Sequence, residues 1–232
     1  LFEENSVMAG SSNNGGSAGE SAGTALFIMK GSNVNLMPGY GNTIIFNDSI
    51  ADDSASSYGG ASYASGAGAD IYIKGNGGLV EFNGENTYSG KTYLQGATLS
   101  ATLGIGINDN SKIVFNGAGT SSVTSPTVYA DNLNLGTVGT LLLSEDLTSK
   151  RVGKRAIDVS WEGSGGIASG VEDGIVVNFG QITPSNGQSL VWGSNGFFES
   201  GASDKVLTFG SEHSLGSVDF QNGVNIGSNI AR

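Results

Sequence analysis

Cysteine is absent from the 232-residue sequence, histidine occurs once, and proline occurs only three times. No disulfide can form, and one histidine without cysteine nearly excludes the usual zinc ligand sets, so we expect neither a metal nor another cofactor. Glycine is frequent at 39 residues, but a collagen-like repeat would need abundant proline as well. No apolar run reaches the length of about 18 residues that a membrane-spanning helix requires. The chain opens on "LFEE" without a secretory leader pattern, and we interpret it as a piece of a longer protein.

Basic residues are also few, with 10 Lys and Arg against 21 Asp and Glu and a formal net charge of −11. Nucleic acid is therefore not an expected partner, because phosphate binding needs clustered Lys and Arg. No window places apolar residues at the helical positions i, i+3, i+4 and i+7. Ser, Asn, Thr and Gly fill the uncharged polar positions, and they favour turns and strands. The sequence predicts an all-β protein.

Short strand-like words recur along the chain: "NTIIFND" at 42–48, "GLVEFNG" at 78–84 and "SKIVFNG" at 111–117. Similar words return at 174–180, 206–210 and 217–223, and internal repetition on this scale is typical of solenoids. Within the words apolar residues alternate with small polar ones, which gives each short strand one apolar face. We predict that residues 1–232 form a single elongated domain, a β-helix in which each coil stacks on the next.

The stretch "GENTYSGKT" at 84–92 has the ending of a nucleotide phosphate loop. Such a loop needs four residues between its first glycine and the Gly-Lys pair, but five intervene here, and it must open a helix. The residues that follow, "YLQGATLSA", are patterned as strands. We therefore interpret the stretch as a turn between strands and expect no nucleotide.

The same stretch belongs to a longer one, "GNGGLVEFNGENTYSGKTYLQGATLSA" at 75–101, which resembles the passenger-associated repeat of bacterial autotransporters. Lys91 stands where that repeat usually has a second glycine, and Phe82 stands where Leu or Val is usual. The segments 34–53, 189–195 and 206–227 resemble other parts of the same proteins. The residues that match the repeat are Gly75, Gly78, Leu79, Gly84, Asn86, Thr87, Tyr88, Ser89, Gly90, Thr92, Leu94, Gly96, Thr98 and Leu99.

The resemblance implies a right-handed parallel β-helix that is exported to the surface of a Gram-negative bacterium or released from it. The parent protein would be anchored by an outer-membrane barrel outside this segment. Passengers of this family are mostly adhesins, and the repeat carries no catalytic residues. We therefore expect a non-enzymatic segment that binds a host matrix protein, a glycan or another copy of itself by extended multivalent contact. Two alternatives stay open: a polysaccharide-acting hydrolase or lyase, and a passive stalk that aids folding and secretion.

A basic cluster stands out in this acidic chain, at "SKRVGKR" in 149–155. It lies in residues 144–170, where the resemblance lapses, and we interpret that segment as an insertion or an irregular coil. The cluster is an exposed loop, a contact site for an anionic glycan or a proteolytic processing site. Loops on rigid scaffolds often carry binding. The candidate ligand-binding residues are Lys150, Arg151, Lys154, Arg155 and Trp161.

Other candidates for chemistry are weaker. Asp52 and Asp53 are the acid pair that a polysaccharide-acting β-helix enzyme would use, although a solvated turn is the plainer interpretation. His213 stands beside Ser and Glu residues, but no nucleophile motif accompanies it, and we place it in a polar turn. Two glycine- and serine-rich segments, 9–23 and 54–68, are expected to be loops.

Overall fold

The computed structural model describes residues 1–9, 11, 21–54, 68–118, 138–180, 187–199 and 205–226. Within these ranges the chain forms seventeen strands and no helix, so no helix is present that could cross a membrane. The strands are β1 (Leu26–Ile28), β2 (Asn33–Leu36), β3 (Thr43–Phe46), β4 (Ile50–Asp52), β5 (Asp70–Ile73), β6 (Leu79–Phe82), β7 (Lys91–Leu94), β8 (Thr98–Ala101), β9 (Lys112–Phe115), β10 (Gly139–Leu143), β11 (Val159–Trp161), β12 (Gly165–Ser169), β13 (Ile175–Val177), β14 (Leu190–Val191), β15 (Leu207–Phe209), β16 (Val218–Phe220) and β17 (Val224–Asn225).

Two sheets contain most of these strands. One has the order β3-β6-β8-β10-β12-β15 and the other has the order β2-β5-β7-β9-β11. All the named strand pairs are parallel, including those of three further two-stranded sheets, β1-β4, β13-β16 and β14-β17. From β5 to β12 the chain alternates between the two large sheets, adding one strand to each in turn. The prediction of an all-β protein is confirmed.

The core lies between the two large sheets and consists of stacked rows of apolar side chains. In the six-stranded sheet Val80, Leu99 and Leu141 are register partners in successive strands, and all three are fully buried. In the five-stranded sheet Phe115 pairs with Trp161, and their rings stack with centroids 4.4 Å apart. Parallel pairing in register therefore places like side chains on one another, as the alternating pattern of the strand words predicts.

Buried polar side chains satisfy the backbone at the turns. Asn86, which is 1% exposed, accepts a hydrogen bond from the N–H of Ile50 at 2.6 Å. Its amide group donates to the carbonyl of Gly106 at 2.7 Å. One side chain thus joins segments that precede and follow it by about twenty residues or more. Since buried backbone groups must be paired, this asparagine is structural.

Asp52 makes a second buried polar junction. Its Oδ2 accepts the N–H groups of Ala69 at 3.1 Å and Ser89 at 2.8 Å, and its Oδ1 accepts that of Ser54 at 3.0 Å. The Ser54 hydroxyl also donates to Oδ1. The carboxylate is fully buried, and its hydrogen bonds connect the end of β4 to the turns that precede β5 and β7.

The stretch 84–92 forms the predicted turn between strands, because β7 begins at Lys91 where a phosphate loop would open a helix. A Cβ at Gly90 would lie 1.9 Å from the carbonyl oxygen of Ala69, so only glycine fits there. Tyr88 is fully buried, and its hydroxyl is 2.7 Å from Oγ1 of Thr92. Thr92 therefore faces the interior and not a ligand.

The segment 144–170 contributes more to the fold than an insertion would. It contains β11 and β12, which extend the two large sheets through pairing with β9 and β10. Between β10 and β11 there are only isolated bridges, at Leu147 and Val152. The predicted loops at 9–23 and 54–68 fall almost wholly outside the described residues.

We predict that Asn86→Ala lowers the free energy of unfolding by about 2–4 kcal/mol, because it leaves Ile50 N–H and Gly106 C=O buried without partners. Urea unfolding followed by tryptophan fluorescence measures this, since Trp161 lies in the core. Asn83→Ala is the matched control: Asn83 is exposed, its side chain donates to Asn47 Oδ1 at 2.9 Å, and its loss should change stability by less than about 0.5 kcal/mol. Equal losses in the two variants would contradict the role given to Asn86.

Candidate functional site

The outer face of the five-stranded sheet carries rows of stacked side chains. The row through the middle of the strands runs from Asn35 to Tyr72, Tyr93, Val114 and Ser160, which are register partners in successive strands. The rings of Tyr72 and Tyr93 are parallel within 3°, with centroids 4.5 Å apart. This distance is close to the strand spacing of about 4.8 Å, so the register itself produces the stack. We call Tyr72 and Tyr93 the tyrosine ladder.

Two lysines flank the tyrosine ladder. Lys74 Nζ lies 4.8 Å from the centroid of the Tyr72 ring, and Lys91 Nζ donates to the Tyr93 hydroxyl at 3.1 Å. The hydrogen bond to Tyr93 raises the pKa of Lys91 and outweighs the opposing effect of partial burial. All four side chains are half-buried. They offer a ligand the edges and hydroxyl groups of two stacked rings, with positive charges beside them on one surface.

Further along the same face is a cleft of about 320 Å³, which we call the sheet cleft. Lys112, at the start of β9, is 8% exposed, and burial is the main reason that its pKa is lowered. Ser160, in β11, is 2% exposed, and its hydroxyl has no hydrogen-bond partner among the residues that the structure describes. The residues that line the cleft include Lys112, Gly153, Lys154, Ser160, Glu162 and Glu199.

Of the five predicted ligand-binding residues, two are buried. Lys150 is 6% exposed, forms an ion pair with Asp109 Oδ1 at 3.5 Å and donates to the Asp109 carbonyl at 3.2 Å. Trp161 is 1% exposed and packs against Phe115 on the inner face of its sheet. Neither side chain is available at an outer surface, because one joins two turns and the other fills the core.

The other three predicted residues, Arg151, Lys154 and Arg155, are exposed. Lys154 lines the sheet cleft and forms an ion pair with Glu199 at 2.9 Å. Arg155 is engaged with Asp158, to which its guanidinium donates at 2.7 Å. The structure therefore divides the predicted cluster. Lys154 and the buried Trp161 lie at the cleft together with Lys112 from another part of the chain, and the other three predicted residues do not line it.

Lys112, Ser160 and the tyrosine ladder were missed by sequence reasoning. A signal was present in the words "KTYL" at 91–94 and "KIVF" at 112–115. Each begins with lysine, and the structure pairs Lys91 with Lys112 in register. Side chains at the first and third positions of such words share a face. Because the two strands pair in register, Lys91, Tyr93 and Lys112 all lie on the outer face of the five-stranded sheet.

The weaker candidates occupy structural positions. Asp52 is buried and fully engaged with backbone donors, and Asp53 Oδ1 accepts the N–H of Lys30 at 2.6 Å. His213 lies in a turn, where its N–H donates to Ser211 Oγ at 3.1 Å, as the polar-turn interpretation expects. Across the described ranges no group of three or more His, Cys, Asp or Glu residues is arranged to hold a metal ion.

Comparison with known proteins adds no further identification: no protein-family model, no curated protein and no solved structure matches the chain. The resemblance of residues 75–101 to the passenger-associated repeat therefore stands on the quoted residues alone.

The Arg155–Asp158 pair generates a pH prediction. Burial opposes ionisation of Asp158, but hydrogen bonds from the Arg155 side chain and backbone outweigh it and lower the pKa of the carboxyl. A lowered folded-state pKa stabilises the protein above the unfolded value of about 3.9, and this contribution is lost as the pH falls through the folded-state pKa. We predict that Asp158→Asn costs about 1 kcal/mol at pH 7 and progressively less below pH 4.

Urea unfolding of both proteins between pH 7 and pH 2.5 measures this difference. Asp173→Asn, at an exposed turn position, is the matched control and should alter stability little at any of these pH values. A difference between wild type and Asp158→Asn that stays constant with pH would contradict the assignment.

Proposed function

We propose that this chain is a segment of a surface-displayed, non-enzymatic adhesin of the autotransporter passenger class, and that it binds a glycan along the outer face of its five-stranded sheet. The sequence resemblance at 75–101 supports the class. Its residues Asn86, Tyr88, Gly90 and Thr92 are buried or too closely packed to reach a partner. The repeat thus has a structural task, and binding falls to other residues.

The proposal includes a right-handed parallel β-helix. Supporting it, the chain alternates between two large parallel sheets, and smaller parallel pairs lie in a third group, as β1 with β4 and β13 with β16. At the start of the chain three strand groups are visited in rotation, as β1-β2-β3 and then β4-β5-β6, and from β5 to β12 two groups alternate. Return of the chain to the same groups in the same order is what successive coils of a solenoid produce. Parallel crossover connections are right-handed in nearly all proteins, because the strand twist has a fixed hand.

The single observation that carries the binding proposal is the tyrosine ladder with its two lysines. Stacked half-buried aromatic rings on a rigid sheet bind at low cost in conformational entropy, because their positions are fixed before the ligand arrives. Four of the chain's 10 basic residues, Lys74, Lys91, Lys112 and Lys154, lie on this face or at its cleft. In a chain of net charge −11 these lysines offset the acids Glu162 and Glu199 at the same cleft and supply donors where a polymer would lie.

The proposal assigns no catalysis, and the engagement of the acidic side chains by other groups supports this. A sugar-cleaving enzyme needs two carboxyl groups that flank the scissile bond. Asp52 is enclosed by backbone donors, and Lys154 pairs with Glu199 at the cleft. We assign the protein to the cell surface or the extracellular space on the resemblance alone.

We predict that Tyr72→Ala and Tyr93→Ala each weaken glycan binding about tenfold, because each removes one ring and its hydroxyl from the ladder and leaves the other ring without its stacking partner. The measurement is binding of the purified chain to a printed glycan array, followed by titration of the strongest ligand. Tyr40→Ala is the matched control, since Tyr40 is 74% exposed and lies outside the ladder.

Sedimentation velocity of the same samples distinguishes the remaining partners. Concentration-dependent association that the ladder variants abolish would replace the glycan with a second copy of the chain. A monomer that binds no glycan and no matrix protein would leave the passive stalk and contradict the proposal.

A further inference from the structure

The sheet cleft contains a polar group that the fold leaves unsatisfied. Ser160 is 2% exposed and lines the cleft, and no residue in the described ranges is hydrogen-bonded to its hydroxyl. Nearly all buried side-chain hydroxyls in native proteins are paired, so an orphan that lines a cavity of about 320 Å³ calls for a ligand atom. Its neighbour in the core, Trp161, explains why the position is rigid, because the indole anchors β11 from the inner face.

Lys112 brings a buried positive charge to the same cleft. It is 8% exposed, and within the described part of the chain it makes no hydrogen bond or ion pair. Lys112 lies in β9, which pairs with β11 so that Val114 is the register partner of Ser160. Lys112, Val114 and Ser160 therefore face the same side of the sheet.

Charged groups of both signs surround Lys112. Glu162 and Asp158 favour its charged form, and Lys91 and Lys154 oppose it. Asp158 is already bound by Arg155, and Lys154 is paired with Glu199 at 2.9 Å. Beside Glu162, the donors in the cleft that no other described residue engages are the Lys112 ammonium and the Ser160 hydroxyl, which together suit the two oxygens of a carboxylate.

We propose that the sheet cleft binds the carboxylate of one uronic acid residue of the glycan, with Lys112 Nζ as the charged donor and the Ser160 hydroxyl as the second. The site deepens the proposed function and rests on it for the identity of the ligand as a sugar. A cavity of this volume accommodates one monosaccharide unit. Glu162 at the cleft supplies an acceptor for sugar hydroxyl groups, while Glu199 is paired with Lys154.

The test is isothermal titration of the 1–232 chain with a hexasaccharide of alternating glucuronate and N-acetylglucosamine. The same hexasaccharide after reduction of its carboxylates is the matched ligand, and we expect it to bind at least tenfold more weakly. Ser160→Ala and Lys112→Met should each weaken binding of the acidic hexasaccharide about tenfold and leave the reduced form unaffected. Lys30→Met makes the same charge change outside the cleft and should alter neither.

Urea unfolding controls for folding, since Ser160→Ala removes only an unpaired hydroxyl and should not lower stability. Equal affinity for the two hexasaccharides, or stronger binding of a sulfated glycan that Ser160→Ala does not weaken, would overturn the carboxylate site and leave glycan binding intact. If free glucuronate shifts the Ser160 amide resonance but neither hexasaccharide binds, the result supports the carboxylate site and contradicts the extended glycan contact. If neither free glucuronate nor either hexasaccharide binds, both the carboxylate site and the proposed glycan binding are overturned.

Discussion

Pairing of backbone groups at the turns is the constraint on which the rest of this structure depends. A chain that passes repeatedly from one parallel sheet to the next carries its turns against the core, where unpaired N–H and C=O groups are costly. Asn86 and Asp52 supply the missing partners from buried side chains, and each connects segments that are far apart in sequence. With these junctions in place the strands stack in register, and the short strands become two continuous sheets.

Register then determines the outer surface as strictly as it determines the core. Each position in a strand is copied onto the next strand at about 4.8 Å, so a residue type that recurs becomes a row. Tyr72 over Tyr93 and Lys91 beside Lys112 are such rows. The same regularity that packs Val80, Leu99 and Leu141 inside presents aromatic and cationic groups outside. Repetition that is required for folding therefore also creates a surface suited to a polymer with its own repeat.

The predicted and observed sites overlap only in part, and the reason is the direction in which each side chain points. The basic cluster at 149–155 was predicted to bind a ligand because its charge is opposite to that of the rest of the chain. Residues that are close in sequence, however, need not point their side chains in the same direction when no regular strand makes the side chains alternate between two faces. Lys150 turns inward to Asp109, while Lys154 points to the cleft. Lys112 and Ser160 are 48 residues apart and meet only because β9 pairs with β11.

The sequence by itself determined the all-β class, the strand positions around the recurrent words and the turn at 84–92, because alternation and glycine placement are local properties of the chain. Only the tertiary structure decided that Asp52 is a buried junction and that Trp161 lies in the core. It also decided that Ser160 lies at a cleft beside Lys112, where no other described residue is hydrogen-bonded to its hydroxyl. These features arise from contacts between distant segments. A pattern along one strand fixes which residues share a face, but not which strand will lie beside it.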